Sequence, residues 1–176
     1  MRRANLEHII RASADIADDD EIIVVGSQAI LGQFPDAPEE LLRSNEADVY
    51  PRNRPERWAL IDGSIGELSP FHETFGYYAQ GVQEGVATLP DGWQDRLQRI
   101  CNPNTRGATG LCLEIHDLLI AKTIAGREKD REFVEAAMRH GLADPDSLRQ
   151  RLAATQVGPE VRALASQVLE ALFRSV

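Results

Sequence analysis

Glu21-Ile22-Ile23-Val24-Val25-Gly26-Ser27 is the stretch on which the reading of this chain turns. It is short, β-branched and closed by Gly, the pattern of a buried strand. Gln28-Ala29-Ile30-Leu31 follows and opens a helix, which places Gly26-Ser27 at a strand-to-helix turn. Backbone N–H groups and a hydroxyl at such a turn suit a phosphate. Downstream, Glu46-Ala47-Asp48-Val49-Tyr50 reads as a second strand. Its two acids stand at i and i+2, so they share one face, roughly 6–7 Å apart by strand rise. Ala47 and Val49 supply the alternate, inward face. Two carboxylates so spaced can close on a hard cation, Mg²⁺ or Mn²⁺.

Outward from these strands, residues 4–17 carry Leu6, Ile9, Ile10 and Ala14 at helical spacing, and Asp18-Asp19-Asp20 reads as the loop after that helix. A helical turn is expected at Pro38–Arg43, and a helix on Trp58, Ile61, Ile65 and Leu68 with Pro55 in its first turn. Phe75 to Val82 and Gly85 to Leu89 look like a strand pair; Leu97 to Cys101 and Gly110 to Leu113 are further strand candidates. From Glu114 the pattern is helical, with Gly141 as a cap and Asp144-Pro145 and Gly158-Pro159 starting two more helices. The fold class expected is α+β: a small mixed sheet with flanking helices over 1–113, followed by a helical part over 114–176 packed against it as one unit.

The net charge of −9 argues against broad electrostatic binding of nucleic acid, though not against a local basic patch. Arg43, Arg52, Arg54 and Arg57 are the densest cationic cluster, read either as a solvated charged segment or as a phosphate contact. Cys101 and Cys112 lack metal-ligand spacing and read as buried free thiols. Met1-Arg2-Arg3 leads into no apolar h-region, and no apolar run approaches a membrane span, so a cytoplasmic location without a membrane partner is expected.

Gly26-Ser27 followed by Glu46-x-Asp48 resembles the signature of the nucleotidyltransferase fold, and Arg43-Ser44-Asn45-Glu46-Ala47-Asp48 resembles the corresponding segment of small bacterial proteins related to AbiEii-type toxins. Asp117-Leu118-Leu119-Ile120-Ala121-Lys122 and Ala125-Gly126-Arg127-Glu128-Lys129-Asp130 look like the later helix of that group. The resemblance implies transfer of a nucleoside monophosphate from an NTP to an RNA or protein acceptor, as in the toxin half of a toxin–antitoxin pair. It assigns Glu46 and Asp48 to a catalytic Mg²⁺, Gly26, Ser27, Arg43 and Lys122 to the nucleotide phosphates, and Arg127 and Asp130 to supporting the site. The chain departs from the pattern in three ways. Eighteen residues, Gln28 to Asn45, separate Ser27 from Glu46; the first acid is Glu; and a third carboxylate is not evident, with Glu84 and Asp95 as candidates.

Other readings stay open beside this one. The chain fits a non-catalytic nucleotide-binding or protein-interaction relative, or an unrelated domain whose acids decorate an edge strand. Lys122 also reads as a snorkelling surface lysine, and Arg127–Asp130 as an i,i+3 helix pair. Asp117 reads as a first-turn residue favoured by the helix dipole, and His116 and His72-Glu73 as structural. Tyr77-Tyr78 and Trp93 are able to stack on a base, but core packing is their ordinary use.

Overall fold

Ile22 and Val24 are fully buried, and that burial makes Glu21–Val24 the central strand, β1. The structure is a computed structural model and describes residues 1–175. Antiparallel to β1 runs β2 (Glu46–Pro51), and parallel to β2 runs the edge strand β3 (Tyr78–Gly81). On the other side β5 (Thr109–Cys112) is parallel to β1, with β4 (Gln98–Ile100) antiparallel beyond it. The sheet order is β3-β2-β1-β5-β4. With its flanking helices this is the mixed α+β architecture expected, consistent with a nucleotidyltransferase-like fold.

α1 (Arg3–Ala17) buries Leu6, Ile9, Ile10, Ala14 and Ala17, the stripe its spacing predicts. It packs on the sheet so closely that a Cβ at Gly110 of β5 would come within 2.3 Å of the Ile10 side chain. α2 is one short turn, Ile30–Gln33, and α3 (Trp58–Ile65) lies with α1 against β2 and β3. Ala47 and Val49 are both 0 % exposed under these helices, so the alternation of β2 turns Glu46 and Asp48 to the opposite face.

The acid run after α1 has a structural use. Asp19 accepts hydrogen bonds from the backbone N–H groups of Glu21 (3.1 Å), Asn53 (2.7 Å) and Arg54 (3.0 Å) and from the Asn53 side chain (2.9 Å). These tie the α1–β1 turn to the segment after β2. Burial pushes the Asp19 pKa up, but the four hydrogen bonds outweigh it and the net shift is downward. A carboxylate lowered in the folded state stabilises above its unfolded pKa and loses that contribution as pH falls through the folded value. Stability is therefore expected to decline below about pH 4. Asp19→Ala should cost about 1–3 kcal/mol at pH 7 and flatten that acid limb, measured by urea unfolding against pH.

Several expectations need correction. Phe75 does not begin a strand: Pro70–Phe75 is a short helix, α4, capped by the Ser69 hydroxyl, which accepts from the His72 N–H at 3.2 Å. Gly85 to Leu89 is loop, so β3 has no hairpin partner there and pairs with β2 instead. Leu68 is outside α3, 80 % exposed. Cys112 is buried as expected, whereas Cys101 is exposed, because β4 ends one residue earlier. Arg52, Arg54 and Arg57 line no part of the cleft described below. They pair with Glu21 and Asp18, and Arg57 also donates to the carbonyl of Ala17 at 2.8 Å.

The helical part consists of α5 (Ile115–Ala125), α6 (Glu128–Arg139), α7 (Pro145–Ala153) and α8 (Pro159–Ser175). α5 is apolar on most sides because the other three helices pack around it. Asp117 in its first turn is 0 % exposed and accepts two hydrogen bonds from Arg96, at 2.8 and 2.9 Å, with Arg151 at 3.2 Å. It fastens α5 to the loop before β4 and to α7. His116 accepts the Asp144 N–H on Nε2 (2.9 Å), which leaves its proton on Nδ1, facing Glu114 at 2.6 Å. Both residues are structural.

Candidate functional site

Val25 leaves β1 by donating its N–H to the Asp48 carbonyl at 3.0 Å, so the Gly26-Ser27 turn is laid directly beside the acid strand. At Gly26 the Asp48 carboxylate fills the space of a side chain: a Cβ there would stand 1.6 Å from Oδ2 and 2.6 Å from Cγ. The glycine is therefore required by close approach, since its φ of −82° is open to any residue. Ser27 starts a single 3-10 turn (Ser27–Ala29), and its hydroxyl makes no hydrogen bond among the described residues.

Glu46 and Asp48 are half-buried on one face of β2. The parallel β3 places Tyr78 beside Glu46, and the Tyr78 hydroxyl donates to Glu46 Oε2 at 3.0 Å. Burial and this bond to a carboxylate push the phenol up to about 12, so it remains a donor at neutral pH. The Asp48 carboxylate accepts no hydrogen bond among the described residues. Its pKa is raised, first by burial and then by the Glu46 charge, and the cations opposite lower it only in part.

Those cations come from α5 and α6. Lys122 is 8 % exposed; its Nζ donates to Asp130 Oδ1 at 2.9 Å and stands 4.7 Å from the centre of the Phe133 ring. Arg127 binds the same carboxylate, with Nε 2.6 Å from Oδ2. Asp130 is itself 0 % exposed, so one buried acid holds two cations in place. Its pKa is pushed up by burial, but Arg127 and Lys122 together bring it below the ordinary value. Lys129, from the next turn, reaches across to Glu46 at 3.9 Å.

The two sides enclose a cleft. Its central lobe, about 540 Å³, is lined by Gly26, Ser27, Glu46, Asp48, Lys122, Arg127 and Lys129, with Val86, Leu118 and Ile124 among its apolar walls. A second lobe of about 520 Å³ shares Ser27, Glu46, Lys122 and Lys129 and continues toward Arg43 and Arg139. Arg139 is paired with Glu40 at 2.7 Å, Lys122 with Asp130 at 2.9 Å and Lys129 with Glu46 at 3.9 Å, so Arg43 lines that space with no ion pair among the described residues. The snorkelling reading of Lys122 fails, because its stem and its charge are both buried.

Every residue singled out from the motif thus lies in or behind one cleft: Gly26, Ser27, Arg43, Glu46, Asp48, Lys122 and Arg127 line it, and Asp130 stands behind. The third-carboxylate candidates do not join them. Glu84 lines a separate lobe, and Asp95 sits in the 3-10 turn Trp93–Arg96. The β3 residue in register with Asp48 is Gln80, whose amide donates to Asp62 at 3.1 Å. Two further residues belong to the site: Tyr78, for which the sequence offers core packing or base stacking, instead donates to Glu46, and Lys129, to which the helix motif gives no role, faces the same carboxylate.

The donor set suits a hard divalent cation. Glu46 and Asp48 are hard oxygen donors, Asp48 accepts no hydrogen bond among the described residues, and positive charge between the two would relieve their repulsion. No group of three or more His, Cys, Asp or Glu side chains able to hold a metal gathers among the described residues. Gly26→Ala should drive Asp48 from its seat and weaken Mg²⁺·nucleotide affinity at least about tenfold, with an unchanged circular dichroism spectrum; calorimetric titration checks this.

Residues 4–168 match the model of a family described as a nucleotidyltransferase of unknown function (DUF6036). No curated protein and no solved structure matches the chain. No helix among the described residues is long and apolar enough to cross a membrane.

Proposed function

The chain belongs to this nucleotidyltransferase family, and from that premise we propose that it moves a nucleoside monophosphate from an NTP to an acceptor, with pyrophosphate leaving. One observation carries the reading. The Asp48 carboxylate, free of protein hydrogen bonds and seated against Gly26, faces the Lys122–Asp130–Arg127 network across the central lobe. Glu46 and Asp48 would hold Mg²⁺. When bound, the ion neutralises phosphate charge and lowers the pKa of the attacking hydroxyl.

The chain's own groups bind and orient. Ser27 offers a free hydroxyl beside the acids, and Lys122 offers a charge whose position Asp130 fixes. Arg127 and Lys129 add positive potential on the same wall, and Arg43 extends it into the basic lobe. Preorganised cations of this kind favour the charge that builds on a transferring phosphoryl group and its leaving group. Tyr78 keeps Glu46 oriented by its hydrogen bond. The motif order supports a place beside the AbiEii-type toxin nucleotidyltransferases, with RNA or protein as acceptor and a cognate antitoxin as partner.

The second reading, a non-catalytic nucleotide-binding relative, is favoured by Gln80 standing in register with Asp48 where an acid would complete the site. To separate the two, the protein and Asp48→Ala are incubated with Mg²⁺, each α-labelled NTP and total RNA or lysate. Label transfer lost in the variant supports turnover. Tight Mg·NTP binding without transfer to any acceptor supports the second reading, and absence of nucleotide binding removes both.

A further inference from the structure

Glu46, Asp48 and Tyr50 occupy alternate positions of β2 and so share its cleft face. The basic lobe lies at the Glu46 end and the central lobe at Asp48. At the Tyr50 end is a third lobe, about 300 Å³, which shares the lining residues Val25, Val86 and Ala87 with the central one. Its walls differ in kind: two aromatic residues, Tyr50 and Trp93, with Glu84 and Gln94 as polar groups and no cation.

Tyr50 supplies an independent sign of a ligand. It is 3 % exposed, yet its hydroxyl takes no hydrogen bond among the described residues. That oxygen is also not among the fully buried unpartnered atoms, and Tyr50 is one of the residues that line the lobe. A phenol buried to this degree usually has a partner. Glu84 lines the same lobe.

We propose that this third lobe seats the base of the nucleotide, with Tyr50 and Glu84 selecting a base that presents N–H donors, guanine above the others. The proposal rests on the nucleotidyl-transfer reading. Phosphates go to the cationic lobe and the uncharged base to the aromatic one, so the reacting phosphorus lies between them, at Asp48. A carboxylate only accepts hydrogen bonds. Guanine offers it two adjacent donors, the ring N–H and the amino group. Adenine and cytosine place an acceptor beside their amino group, and uracil places a carbonyl on each side of its single N–H. The rings of Tyr50 and Trp93 supply apolar contact for any base.

Calorimetry on the full chain with Mg²⁺ tests this, using GTP, ATP, CTP, UTP and inorganic tripolyphosphate as probes. GTP should bind about tenfold more tightly than the other three. Glu84→Gln and Tyr50→Phe, which keep side-chain shape, should each remove most of that preference while tripolyphosphate affinity stays the same. Equal affinity for the four nucleotides, or a preference untouched by both variants, overturns the base seat alone. If neither the nucleotides nor tripolyphosphate bind, the nucleotidyl-transfer reading falls and the base seat with it.

Discussion

Asp48→Asn is expected to lower nucleotidyl transfer by about 10³-fold and to raise the melting temperature of the metal-free protein. The two effects have one cause. Asp48 is half-buried, faces Glu46 and has no hydrogen-bond donor of its own, so folding raises its pKa. A carboxylate whose folded pKa lies above its unfolded value destabilises the fold once both forms are ionised, and the penalty fades as pH falls through the folded pKa. Asparagine removes the charge and with it the penalty, while removing a carboxylate oxygen that the proposed cation would take as a ligand. Proton and metal compete for the same carboxylate, so metal affinity should also weaken as pH drops through that raised pKa. Thermal melts without metal, paired with label transfer, check both halves. A variant that melts lower and still turns over contradicts the assignment.

Asp130→Ala is expected to cost about 3–5 kcal/mol, read by urea unfolding. The carboxylate it removes is fully buried and is the hydrogen-bonding partner of Lys122 (2.9 Å) and Arg127 (2.6 Å). Its loss leaves the Lys122 ammonium, 8 % exposed and stacked over the Phe133 ring, without its hydrogen-bonding carboxylate. An uncompensated buried charge is costly, which is why removing one partner harms more than the pair itself contributes. Nucleotide affinity should fall as well, since Lys122 is then free to turn away from the central lobe. Lys122→Met with Asp130→Leu should recover much of the stability but none of the affinity, which separates the structural role from the binding role.

How much of this was legible in the sequence depends on the range of the signal. Glu21 to Ser27 and Glu46 to Tyr50 announce themselves through alternation, β-branching and a terminal glycine, and both strands formed where expected. The later helices carry local stop and start signals, such as Gly141 in the left-handed region at φ 67° and the Asp144 cap before Pro145. What the sequence withheld was pairing. Nothing local says that Tyr78 lies beside Glu46, because that register is made by a parallel crossover through α3 and α4. The same ignorance made Glu84 and Asp95 look like candidates for a third acid, although neither shares the lobes that hold the first two. The α4 helix carries a local start signal, Ser69 as cap before Pro70 with Glu73 in the first turn, but the aromatic residues around it favour a strand reading. Cys101 shows the finer limit, since one residue at a strand end decides between buried and exposed.

The central claim is that Glu46 and Asp48 together hold a divalent cation against a nucleotide. Electron paramagnetic resonance of Mn²⁺ titrated into the protein with NTP present tests it most directly. The account predicts saturable Mn²⁺ binding that depends on the nucleotide and disappears in the Glu46→Gln, Asp48→Asn double variant, with both proteins folded by circular dichroism. Equal Mn²⁺ and nucleotide binding by the two proteins would contradict it.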